Sequence, residues 1–135
     1  MAALTADRNT PARSGDIREV PVKAAAKIYA GALAMIDASG WAVPGATATT
    51  LKGAGRAEAQ ADNTGGADGA ISVRIRTGIF RFANSAAGDL IARADIGANC
   101  YAVDDQTVAK TNGTNTRSVA GVIYDVDALG VWVKF

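Results

Sequence analysis

The sequence runs to 135 residues with a formal net charge of +1, no histidine and a single cysteine, Cys100. Those counts rule out a Ser-His-Asp or Cys-His catalytic unit and an intrachain disulfide, and leave one Cys where a zinc site normally draws on several Cys and His. Ala (30 residues) and Gly (15 residues) fill a third of the chain, and Leu, Ile, Val and Phe together number 28, which is lean for a hydrophobic core but above the level of disordered chains.

The chain is about one domain long. Its near-neutral charge argues against a DNA binder that relies on releasing many counterions. The first 21 residues carry no apolar run between a basic start and a cleavage site, and no stretch of 18 apolar residues occurs, so neither a secretory signal nor a membrane span is expected. Without a signal, the protein is expected to stay where it is made.

Residues 1–19 differ in texture from the rest. They are polar, carry Arg8, Arg13 and Arg18, and contain Pro11 and Gly15 as breakers, with Leu4 and Ile17 as the only large aliphatic side chains. Such a segment cannot bury itself, so it is either disordered or an arm that orders on a partner. Fully extended, an arm of about 20 residues spans roughly 65 Å. The expected division is an arm over 1–19 and a compact domain over 20–135.

Within the domain, residues 24–29 are alanine-rich, but Gly31 follows quickly and no helical stripe develops, so strand or loop is expected. Residues 33–37 read as a strand, 38–40 as its turn and 41–43 as the return strand, ended by Pro44-Gly45. Residues 51–60 form a weaker strand, because alanine is depleted in strands. Residues 61–70, ADNTGGADGA, read as a flexible loop by composition.

The clearest element follows. Ile71, Val73 and Ile75 alternate with Ser72, Arg74 and Arg76, and after Thr77-Gly78 the phase slips, so that Phe80 and Phe82 carry the apolar face and Arg81 the polar one. A glycine at a phase slip reads as a β-bulge. Residues 93–97 suggest one helical turn closed by Gly97. Strands are expected at 100–103, 107–110, 118–126 and 131–135, with turns at 104–106, at 111–115 around Asn112-Gly113, and at 127–130. Eight or nine short strands at this spacing predict an all-β barrel or sandwich.

Little here suggests chemistry. Asp125-Val126-Asp127-Ala128-Leu129-Gly130 has the look of a calcium loop but lacks the completing glutamate, and Asp104-Asp105 would point to opposite faces of a strand, so both read as turns. Gly65-Gly66 and Gly69 do not make a phosphate loop. Cys100, beside Tyr101 and Val103, reads as a small buried hydrophobe with no His or nearby Lys to lower its pKa. No catalytic, cofactor or metal residue is assigned. Arg74, Arg76 and Arg81 are the candidates of interest: a solvated strand face, a subunit contact using the bidentate guanidinium fork, or a nucleic-acid surface. Alternation sets Phe80 and Phe82 opposite Arg81, which ranks the subunit contact above nucleic acid.

Eight segments carry a resemblance: LTADRNT (4–10), KIYAGAL (27–33), GRAE (55–58), DNTGG (62–66), RTGIFRFANS (76–85), CYAVDDQTVAK (100–110), TRSVAG (116–121) and GVWV (130–133). Through them almost the whole chain resembles the capsid cement, or head decoration, proteins of tailed bacteriophages and Mu-like prophages. The resemblance implies a small β-barrel or β-tulip-like domain with an extended N-terminal arm, often trimeric, seated on the outside of the shell. It implies a virion protein, made in the bacterial host cytoplasm, that bridges neighbouring major capsid subunits after expansion, with no enzymatic activity, cofactor, membrane or specific nucleic acid. The expected contact residues are Leu4, Thr5, Arg8, Asn9, Thr10, Pro11 and Arg13 in the arm, toward the capsid, and Arg74, Arg76 and Arg81 between subunits. The alternative is a small β-barrel nucleic-acid-binding module using those three arginines; an enzyme would have to rest on Asp and Arg alone.

Overall fold

The structure, a computed structural model, describes residues 2–135. It is nearly all-β, with three antiparallel sheets and two single 3-10 turns, Ala87–Asp89 and Arg93–Asp95. The first sheet has the order β1 (Ile17–Pro21), β7 (Ser72–Arg76), β5 (Lys52–Ala57), β3 (Leu33–Ile36), β4 (Ala42–Pro44). The second has the order β10 (Val108–Ala109), β9 (Asn99–Ala102), β11 (Val119–Asp127), β12 (Gly130–Lys134), β8 (Ile79–Phe82). A two-residue ribbon pairs β2 (Lys27–Ile28) with β6 (Ala61–Asp62).

The chain builds two cores, and β3 serves both. Ala34 turns into a core formed by the first sheet and the ribbon, with Val20, Val22, Ile28, Ala57, Val73 and Ile75. Leu33 and Met35 turn the other way, into a core formed with the second sheet around Phe82, Ile91, Cys100, Ile123, Val131 and Val133. All three β3 residues are fully buried. A strand covered on both faces reads as a continuous apolar run, and LAMI is one. Its hairpin to β4 closes on Asp37, whose Oδ1 accepts from the Ser39 and Trp41 amides, each at 2.9 Å.

Alanine and glycine make room for this arrangement. The first core sets Ala32, Ala34, Ala42, Ala54, Ala57 and Ala61 beside Val20, Val22, Ile28, Val73 and Ile75, and the small residues let its strands approach closely. Where β11 crosses β5, a Cβ at Gly53 would fall on the Ala120 carbonyl. At Gly55 the backbone has φ +140°, and a Cβ would fall on the Arg76 carbonyl. Between the two glycines Ala54 is the extra residue of a bulge, since Ala34 pairs with Gly55 and Met35 with Gly53.

Neither sheet closes into a barrel. Each has its two edges touching at one parallel bridge, Val22 to Ala42 in the first sheet and Ala83 to Thr107 in the second. The described residues hold twelve strands, above the eight or nine expected, because β1 falls in the segment that composition assigns to the arm and β2 and β6, two residues long, are too short for alternation to mark.

Four readings change in detail. The phase slip at Gly78 is a crossover: β7 ends in the first sheet and β8 begins in the second, so the apolar face switches because the core does. The segment 61–70 is organised around buried Asn63, whose Nδ2 donates to the carbonyls of Val22, Lys23 and Ala67 at 3.3, 3.0 and 2.9 Å. Residues 17–19, placed in the arm by composition, belong to β1, paired across from Arg76, Ile75 and Arg74. The turn around Asn112-Gly113 does not join partners, since β11 pairs with β9 and β12.

The approach of the two sheets at Gly53 sets a test. Gly53→Ala should cost about 3 kcal/mol, the upper end of overpacking penalties, because the obstacle is backbone. Gly88→Ala, where a Cβ meets open space, should cost less than about 0.5 kcal/mol. Urea midpoints measure both, and equal losses would show that the sheets are not in contact there.

Candidate functional site

The arm and the arginine-bearing strands lie side by side. Residues 2–14, among them Leu4, Thr5, Arg8, Asn9, Thr10, Pro11 and Arg13, are exposed throughout and make no hydrogen bond or ion pair among the described residues. The chain joins the sheet at the end of β7, where the Thr77 amide donates to the Asp16 carbonyl and the Thr77 hydroxyl to that of Gly15, both at 2.9 Å. Arg13 shares a shallow depression with Ile17, Arg18, Glu19 and Arg74.

On β7, Val73 and Ile75 are buried, which turns Arg74 and Arg76 to the opposite face. Register then supplies their partners. Glu19 sits across from Arg74, with Nη2 to Oε1 at 3.5 Å. Across from Arg76 sits a second arginine, Arg56. Like charges directly opposite repel. Glu58 resolves the conflict, because one oxygen, Oε1, accepts from Arg76 Nε at 2.7 Å and from Arg56 Nη2 at 2.9 Å. The hydrogen bond from Arg56 and then that from Arg76 outweigh partial burial and hold the Glu58 carboxyl below its ordinary value of 4.5.

Arg81 belongs to the other sheet. It lies across from Trp132 in register, with its guanidinium carbon 5.5 Å from the indole centroid. Its nearest carboxylate, Asp127, is 4.0 Å away. That carboxylate is already occupied: Oδ1 accepts from the Leu129 and Gly130 amides at 2.8 and 3.0 Å, and Oδ2 from Trp132 Nε1 at 2.8 Å. The indole and the Leu129 amide draw the Asp127 carboxyl below its ordinary value. This is a turn built on Asp127, as its local spacing suggests. Asp104 likewise accepts from the Gln106 amide at 2.9 Å within its turn.

The structure therefore brings Arg76 to Arg56, sets Arg74 beside the root of the arm, and places Arg81 across a cleft from Arg56 lined by Ile79, Phe80 and Trp132. Arg56 lies over the Phe80 ring at 4.4 Å. Arg56, Glu58 and Trp132 are participants that sequence reasoning left without a role. Their signal is register, which alternation within one strand does not give. Cys100 is fully buried in the second core, and burial pushes its thiol up to about 11.

No protein-family model matches the chain, and neither a curated protein nor a solved structure matches it.

Two outcomes follow from the titrating groups. Because the folded-state value of Glu58 is lowered, its contribution to stability is complete above the ordinary carboxylate value and is lost as pH falls through the lowered one. Glu58→Gln should therefore lower the melting temperature at pH 7, and the gap to the unaltered chain should shrink as the buffer is taken into the acid range; a gap independent of pH would remove the carboxylate from the account. Cys100 should not react with a thiol-specific disulfide reagent at pH 8 in the native protein, and should react with one equivalent after unfolding in guanidinium. Rapid native labelling would contradict its burial.

Proposed function

We propose that this chain is a virion structural protein that binds the outer surface of a phage capsid and stabilises it by bridging major capsid protein subunits, as a homotrimer, after assembly in the bacterial host cytoplasm. The observation that carries this reading is the arm: thirteen exposed residues, 2–14, rooted on an edge strand and free of the domain's own hydrogen bonds. Thirteen extended residues reach roughly 45 Å, enough to leave the footprint of one small domain and touch a neighbouring subunit. Ordering such a segment costs entropy that only a partner repays. Weak contacts of this kind, repeated over a shell, gain strength by avidity.

The arginine face fits the same reading. Its charges are of mixed sign, with Arg74, Arg76 and Arg56 matched to Glu19 and Glu58, which suits a protein contact better than a phosphate backbone. On this reading the curled first and second sheets, with their ribbon, make up the barrel- or tulip-like decoration domain of the family that the sequence resembles. The chemistry of the partner is polypeptide, and the mechanism uses geometry without a cofactor.

The test is a truncation that begins at Gly15. A cut after Glu19 would strip three residues from β1, whereas a cut after Ser14 leaves every strand intact. The truncated chain should keep its circular dichroism and melting temperature, sediment as the same trimer, and bind expanded shells at least about tenfold more weakly than the full chain. Equal binding by both chains would make the arm idle, and a full-length monomer without affinity for shells would end the proposal.

A further inference from the structure

We propose that the cleft between the two sheets, lined by Arg56, Ile79, Phe80, Arg81 and Trp132, is a docking groove for a polypeptide segment that presents a carboxylate beside a large apolar side chain. The inference rests on the reading of the chain as a protein that works by contact, and names the part of its surface, other than the arm, that takes hold of a partner.

The first ground is unspent hydrogen-bonding capacity. A guanidinium carries five N–H donors. Arg81 makes no hydrogen bond among the described residues, and the only carboxylate near it, Asp127, is filled by two amides and the Trp132 indole. Arg56 spends one nitrogen on Glu58 and keeps the rest. The second ground is preorganisation. Arg56 lies over the Phe80 ring and Arg81 over Trp132, so an aromatic ring holds each guanidinium in the cleft lining before any partner arrives. The third is the floor between them: Ile79 is 37% exposed, and Phe80 is only partly buried. Two donors flanking an apolar floor complement a carboxylate with a hydrophobic neighbour.

Charge also selects against the other anionic partner. Each arginine of the cleft already has an acid beside it, Glu58 at 2.9 Å from Arg56 and Asp127 at 4.0 Å from Arg81. A single side-chain carboxylate fits between the two arginines, whereas a run of phosphates would meet both acids. The groove has apolar contacts to offer a peptide and no open aromatic stack of the kind that single-stranded nucleic acid uses.

The experiment follows the Trp132 indole N–H and the Arg81 Nε–H resonances of the isotopically labelled full chain. The probes are acetyl-Gly-Asp-Phe-Gly-amide, its Asn analogue and a short oligothymidylate. The Asp peptide should shift both resonances saturably, and the Asn peptide should bind at least about tenfold more weakly. Read on the Trp132 indole N–H, Arg81→Ala should abolish the response, and Arg81→Lys should keep only a fraction of it because the fork is lost. Arg81 is exposed enough to be replaced without unfolding, which melting curves verify. Two peptides that titrate alike, tighter binding of the oligothymidylate, or an Arg81→Ala protein that responds normally would each overturn the groove. Shell binding is scored separately: a chain that binds shells yet ignores the Asp peptide loses the groove alone, and one that binds the peptide yet ignores shells loses the capsid reading alone.

Discussion

The whole molecule depends on one strand being covered on both faces. Leu33, Ala34 and Met35 of β3 are fully buried, the middle one in the first core and its neighbours in the second. Among the described residues nothing else belongs so completely to both cores. For a strand to be buried on two sides, a sheet must approach from each, and backbone must pass close to backbone. That is why Gly53 lies under the Ala120 carbonyl and why six alanines fill the first core. A composition that looks lean for a core is therefore what this geometry needs: small residues set a short distance between layers, and close packing then supplies the cohesion that larger side chains give elsewhere.

The same geometry governs the charged surface. Three arginines on β5 and β7 would repel across the ladder, and carboxylates from β1 and from the residue just beyond β5 are placed to prevent it. Exposed pairs of this kind add little stability. Their consequence is directional: they fix the arginine side chains and leave the face of mixed sign. Arg81 differs because its carboxylate neighbour is committed to a turn. Identical residues at similar spacing thus acquire different roles from register alone.

Most strands were legible because alternation and turn chemistry are local. The hairpin around Asp37, the strands at 72–76, 119–127 and 130–134, and the turn on Asp127 all follow from residues within one or two positions of each other. What was not legible is non-local. A phase slip at Gly78 looks the same for a bulge as for a strand that leaves one sheet for another, since both flip the apolar face by one residue. Composition marks residues 61–70 as loose, yet Asn63 reaches carbonyls some forty residues away in sequence. For the candidate site, Arg74, Arg76 and Arg81 stood out by alternation. Glu58 and Trp132, which decide what those arginines do, could be found only once strand order was known.

The edges of the sheets are protected against pairing with another chain. A free strand edge is a template for pairing with another chain, a hazard for any protein that functions in many copies at close quarters. Here each sheet ties its own two edges together at a single bridge. Both edge strands of the first sheet also end in proline, Pro21 on β1 and Pro44 on β4, which lack the N–H that a docking strand would use. Arg18 and Glu19 add charge along β1. The only other proline, Pro11, lies in the arm, where it keeps the backbone extended and out of a ladder. All three prolines thus act in one direction: they discourage contact through backbone, which on the proposed reading leaves recognition to the exposed arm and to the groove.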